Sequence, residues 1–160
     1  MIKVGSMNDR VKRAKDQGLT ISFTIRADMT YLRLALDRLR NHLPKEEYDP
    51  ADQKKIEIAV EEALVNVIKH AYQDQQGHIQ VIYRLIPGRC VEIVIRDRGH
   101  RFDPSQYSVP KDPDLSIEEQ PIGGLGIAFI KRIMDEVVYE RMGNQNSLTL
   151  KKWSPCSYPS

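Results

Sequence analysis

Three polar residues stand out by their spacing. Glu62, Asn66 and His70 recur every four residues within the run IEIAVEEALVNVIKHAY, Ile56 to Tyr72. At helical periodicity they fall on one narrow stripe. Ile58 and Val65 flank that stripe on one side, Ala59 and Ala63 on the other, while Ile56, Val60, Leu64, Val67, Ile68 and Ala71 make most of the remaining surface apolar. A solvated helix face carries a wide band of Lys and Glu, whereas a carboxylate and an amide between apolar shoulders suit the floor of a cleft. From this helix alone both readings stay open. The chemistry on offer is specific. Asn66 brings an uncharged oxygen of the kind Mg²⁺ accepts when it shares its site with phosphates. Glu62, one turn earlier, can activate a nucleophile if burial tunes its pKa upward.

Two further stretches add to this. Asp97 continues the alternation of Val91, Ile93 and Ile95, so its carboxylate points to the apolar side at the end of a strand. Burying a charge there is costly without a hydrogen-bond donor, and an amino group on the edge of a ligand ring is one such donor. Gly99 follows, free to allow a close backbone approach or a positive φ, and then Phe102 in the unit DRGHRFD. Arg98, His100 and Arg101 make this unit unusually basic. Gly123, Gly124, Leu125 and Gly126 stand directly before a helical pattern, where exposed backbone N–H groups and the helix dipole favour an anion. The GK[ST] ending of a Walker A loop is missing, and no strand precedes the glycines as a dinucleotide fingerprint requires.

The elements that must position these residues read in order. Leu19 to Arg26 alternates strictly and predicts a half-buried strand. Asp28 caps a helix with Leu32, Ala35, Leu36, Leu39 and Leu43 on one face, ended by Pro44. Asp49-Pro50 restarts a helix at Pro50, closed by Gln76-Gly77. Ile79 to Ile86 and Val91 onward, joined by Pro87-Gly88, predict a hairpin central in its sheet. Residues 103–123, broken by Pro104, Pro110, Pro113 and Pro121, read as a functional lid. Ile127, Ile130, Ile133, Met134 and Val137 mark a third helix, followed by strands near Val138 to Met142 and Ser147 to Trp153 around a Gly143-Asn144 turn. This order predicts an α/β two-layer sandwich, a mostly antiparallel sheet with helices on one face. Residues 1–18 read as a mobile basic arm, 19–153 as a single domain and 154–160 as a tail.

Composition narrows the class. The 160 residues suffice for one domain with a real core, and 41% hydrophobic with 29% charged residues fits a soluble globular protein. A net charge of +2 argues against nucleic acid or membrane as the main partner. Two cysteines without metal-ligand spacing argue against a zinc site or disulfide framework, and the expected compartment is the cytoplasm.

The three stretches together resemble a known family. ExxxNxxxHAY at Glu62 to Tyr72, DxGxxFD at Asp97 to Asp103 and GGLG at Gly123 to Gly126 are similar to the N, G1 and G2 boxes of the GHKL ATPase superfamily, with its Bergerat fold. The short HAY form and compact size most resemble bacterial anti-sigma-factor serine/threonine kinases. The resemblance implies ATP and Mg²⁺ as cofactors, Glu62 as general base, Asn66 as Mg²⁺ ligand, and Asp97 with Gly99 at adenine. It implies Gly124 and Gly126 at the phosphates, His70 near phosphate or in support of the helix, and Ser147 or Thr149 beside adenine, although the usual Gly-Thr pair is absent. It further implies a sigma factor and a STAS-type anti-sigma-factor antagonist as partners, phosphorylation of an antagonist serine, and a homodimer with the first strand and its helix as contact surface. The alternatives are a nucleotide-binding module that sequesters a partner without catalysis, and a histidine-kinase-like or gyrase-like ATPase domain. A sensor kinase would need a helical dimerisation segment, where only the short basic arm is expected.

Overall fold

In a computed structural model, the structure describes residues 18–73, 75–102 and 129–155. The strands are β1 (Leu19–Arg26), β2 (His78–Ile86), β3 (Cys90–Asp97), β4 (Glu136–Met142) and β5 (Gln145–Trp153), and the helices α1 (Met29–His42) and α2 (Pro50–Asn66). All neighbouring strands run antiparallel in the order β1-β2-β3-β5-β4, which makes the first hairpin central as its two-sided apolar pattern predicts. Residues 129–133 are helical. This segment buries Ile130 and Ile133; Val137, expected on the same helix, instead lies in β4.

Local chemistry accounts for the helix starts. Asp28 accepts from the Thr30 backbone N–H at 2.8 Å, and Asp49 from that of Asp52 at 2.8 Å, with Pro50 in the first turn of α2. The inner face of the sheet alternates as the sequence demands: Ile79, Val81, Tyr83 and Leu85 of β2, Val91, Ile93 and Ile95 of β3, and Leu148 and Leu150 of β5 join the apolar sides of both helices in one core. The helices are thus placed by burial rather than by propensity.

A charged clamp fixes α1 against α2. The Arg40 guanidinium donates from both Nε and Nη2 to the two carboxylate oxygens of Glu57, which is buried on the α1-facing side of α2. This pairing holds the Glu57 pKa below its ordinary value, more than burial raises it. A depressed folded-state pKa means that the pair stabilises the fold above the ordinary glutamate range and that this contribution is lost as the pH falls through the lowered value. Glu57→Gln is therefore expected to cost about 1 kcal/mol at neutral pH, measured by urea denaturation. The difference from the parent should shrink under acid conditions below the ordinary glutamate range.

Candidate active site

The site begins where α2 changes pitch. After Asn66 the chain makes a π-helical turn, Val67–Ala71, closed by the Tyr72 N–H on Val67 O at 3.1 Å. Such turns are rare and concentrate at functional sites. The wider turn takes His70 out of the regular α-helical phase, so the straight stripe expected from the spacing holds only from Glu62 to Asn66. His70 stacks on Phe102, ring centres 5.0 Å apart and planes 16° from parallel. That places Phe102 of the DRGHRFD unit against the end of the helix.

Glu62 is half-buried, and its pKa is raised, first by desolvation and then by the neighbouring charge of Glu61, with Lys69 opposing. Asn66 is only 6% exposed, and its Nδ2 has no hydrogen-bond partner among the described residues. A buried amide left so costs about 1–3 kcal/mol, a cost that a ligand at this point would relieve. An uncharged oxygen on such an amide fits a cation that arrives with phosphates, because Mg²⁺ commonly takes few protein ligands and completes its shell with phosphate and water. Among the described residues no group of three or more His, Cys, Asp or Glu side chains could form a cage for a metal by itself.

Asp97 is buried at the end of β3, at 5% exposure, as its place in the alternation predicts. Its Oδ1 accepts from the Gly99 backbone N–H at 2.9 Å and from Asn146 Nδ2 at 2.8 Å. Burial raises its pKa; those two donors and the nearby Arg141 charge pull against it. Asn146 is the residue sequence reasoning missed. It faces Asp97 across the β3–β5 ladder and is itself buried. Its Oδ1 accepts from Tyr139 Oη and from Arg141 Nη1, both at 2.7 Å, and its Nδ2 also donates to the His100 carbonyl at 2.9 Å. With the oxygen held by two donors, the amide can only present its N–H₂ to Asp97.

Of the two residues that the resemblance puts beside adenine, Thr149 pairs with Val94 and Ser147 with Arg96. Both alternate onto the outer face of the sheet, away from the face that carries Asp97 and Asn146. The signal available in the sequence was strand parity: an even-numbered polar residue among Leu148 and Leu150 had to face inward.

Close backbone contact joins the two halves. A Cβ on Gly99 would sit 2.5 Å from Ala71 O, and the His100 N–H donates to that same carbonyl at 2.7 Å. Gly99 is thus needed for close approach; its φ is not positive. Tyr72 of the HAY triplet then ties three segments: its Oη donates to the His78 carbonyl at 2.7 Å and accepts from the Arg98 N–H at 2.9 Å. Gly77, expected to close the helix, leaves room for the Tyr72 ring, which a Cβ would meet at 2.1 Å; the left-handed residue here is Gln73, φ 49°. Gly123, Gly124, Leu125 and Gly126, the expected lid at 103–123, the basic arm and the final tail lie outside the described residues.

Known proteins are similar to this chain in sequence and in fold. The family model for the histidine kinase-like ATPase domain matches residues 25–152. The chain is 37% identical over 108 residues to the serine-protein kinase RsbW of Staphylococcus aureus, in strains bovine RF122 and MRSA252 alike, a match over 64% of this chain. The chain thereby spans 66% of the length of those relatives. Its fold is similar to that of the RsbU and RsbW domains of Rv1364c from Mycobacterium tuberculosis, with a TM-score of 0.60, 21% identity, and coverage of 85% of this chain and 33% of that one. With the family model matched across both helices and strands β2 to β5, the chain belongs to the histidine kinase-like ATPase domain family.

Proposed function

We propose that this protein is an ATP-dependent protein-serine kinase that acts as an anti-sigma factor, binding a sigma factor and phosphorylating a serine of an antagonist protein. The observation that carries the nucleotide part is the Asp97 carboxylate, buried with its Oδ1 filled by two internal N–H donors. A carboxylate so held is an acceptor for one more donor, and the amino group of adenine supplies it. The similarity to the serine-protein kinase RsbW supports the choice of serine as acceptor, and the partners follow from the resemblance of the sequence boxes to anti-sigma-factor kinases.

In this reading Glu62 accepts the proton of the attacking serine hydroxyl, and burial has already moved its pKa toward the working range of a base. Asn66 would hold Mg²⁺, which when bound neutralises charge on the phosphates. By their place in the GGLG motif Gly124 and Gly126, with Gly123 and Leu125 beside them in the sequence, are assigned to the phosphates, while Asp97 with Gly99 is assigned to the adenine end. Little covalent chemistry is asked of the protein, so positioning and electrostatics carry most of the rate. The Phe102 stack supports His70 at the helix end.

A homodimer through β1 and α1 belongs to the same reading. Leu19, Ile21 and Phe23 on the edge strand stay only half-buried, and Met29, Tyr31 and Leu34 of α1 are exposed. An apolar edge of this kind suits a second copy. The compartment proposed is the cytoplasm.

Glu62→Gln should bind ATP within about twofold of the parent and lose phosphotransfer by about 10²–10⁴-fold, read with labelled ATP and a serine-bearing antagonist. Retained binding with full transfer would remove Glu62 from the base role; binding without transfer in the parent itself would favour a sequestering module. Because the Glu62 pKa is raised, the base protonates at a pH above the ordinary glutamate range, and the acid limb of the parent rate profile should be displaced upward accordingly. The same sign makes ionised Glu62 a cost to the fold above its raised pKa, so the Gln variant should melt no lower than the parent at neutral pH. Asn146→Ala should weaken ATP binding by at least about tenfold, since a buried carboxylate then loses a donor; calorimetric titration measures this.

A further inference from the structure

The outer face of the sheet carries two rows of charge that are treated differently. In one row Arg84, Glu92, Lys151 and Glu136 face each other across four strands, and all are paired: Arg84 to Glu92 at 2.6 Å, Lys151 to Glu92 at 3.6 Å and to Glu136 at 3.4 Å. This row neutralises itself. Toward the other end the row runs Thr24, Gln80, Arg96, Ser147, Glu140, and its one carboxylate lies two strands from Arg96. Neither Arg96 nor Arg98 makes a side-chain ion pair or hydrogen bond with any described residue.

These arginines border a cleft of about 470 Å³ lined also by Thr24, Tyr72, His78, Gln80 and Gln145. Among the described residues no carboxylate lines it. A second cleft of about 200 Å³ shares Gln76, Gly77 and His78 with the first and extends it past Arg26, where Asp28 is the one acidic side chain among the described residues. Joined through these shared residues, the two form a trough. Amide side chains along a trough suit the alternating N–H and C=O groups of an extended chain, and guanidinium groups suit its carboxylates bidentately.

We propose that this trough binds an extended acidic segment of a partner protein, with Arg96 and Arg98 as the carboxylate-binding residues. The cleft is built on the sheet face opposite Asp97 and Asn146, so an occupant there does not compete with a ligand on the helix side. The basic character of the segment after Asp97 acquires a purpose in part: Arg98 serves the outer cleft. The proposal does not rest on the nucleotide chemistry.

Fluorescence anisotropy of a labelled hexaglutamate peptide, titrated with the full chain at low salt, tests it. The parent should bind with an affinity that falls as salt rises. Arg96→Gln/Arg98→Gln should weaken binding by at least about tenfold, while Arg84→Gln, in the self-neutralised row, should leave it within about twofold. A circular-dichroism melt of the double variant confirms folding; if it melts early, the exposed Arg98→Gln change alone is read. In the parent, peptide-induced amide shifts should centre on Gln80, Arg96 and Arg98. Binding unchanged in the double variant, equal loss with Arg84→Gln, shifts centred elsewhere, or full displacement by a few millimolar orthophosphate would each overturn the proposal, the last by marking a site for small phosphate anions.

Discussion

The burial of one carboxylate organises this molecule. Asp97 ends a strand whose other inward residues are Val91, Ile93 and Ile95, so the sheet places a charge where only apolar groups would otherwise go. Water is largely excluded, and the cost must be met by donors. The Gly99 N–H and the Asn146 amide supply two, and Arg141 supplies a favourable charge. Each donor is held in turn: Asn146 by Tyr139 and Arg141, and the segment at Gly99 and His100 by the Ala71 carbonyl. A carboxylate on a loop could rotate to water. Here the ladder and the turn leave it one direction.

That same Ala71 carbonyl ends the π-helical turn that starts after Asn66. The helix bearing Glu62 and Asn66 and the strand end bearing Asp97 are therefore one mechanical unit, joined at a contact only glycine permits. Tyr72 doubles the joint by bonding both β2 and the residue after Asp97. Such double attachment is what a site needs if a base at one end and a ring-recognising acid at the other must keep their separation.

Much of this was legible in the residues, for physical reasons. Strict alternation from Leu19 to Arg26 marks a half-buried strand, and apolar residues on both faces of the Ile79 to Ile95 hairpin mark it as central in the sheet. Asp28 and Asp49 mark helix starts because orphan N–H groups need acceptors. The inward direction of Asp97 followed from parity alone. Asn146 escaped because a polar residue just after a hairpin turn ordinarily faces water, and only the β3–β5 register shows it opposite Asp97. The pitch change after Asn66 escaped too: VIKHA carries no proline or glycine to mark it, and the turn's last carbonyl is engaged by the distant His100 N–H, a tertiary contact. The resemblance put Ser147 or Thr149 beside adenine, whereas strand parity sets both on the face opposite Asp97.

The central proposal is that Asp97, held in one direction, accepts from an amino group on a purine. Inosine triphosphate differs from ATP there by carrying a carbonyl where adenine has its amine, and a carbonyl facing a carboxylate leaves two acceptors without a donor. Calorimetric titration of the protein with ATP and with inosine triphosphate, both with Mg²⁺ at neutral pH, tests the claim most directly. ATP should bind at least about tenfold more tightly. Equal affinity for the two nucleotides would contradict the account.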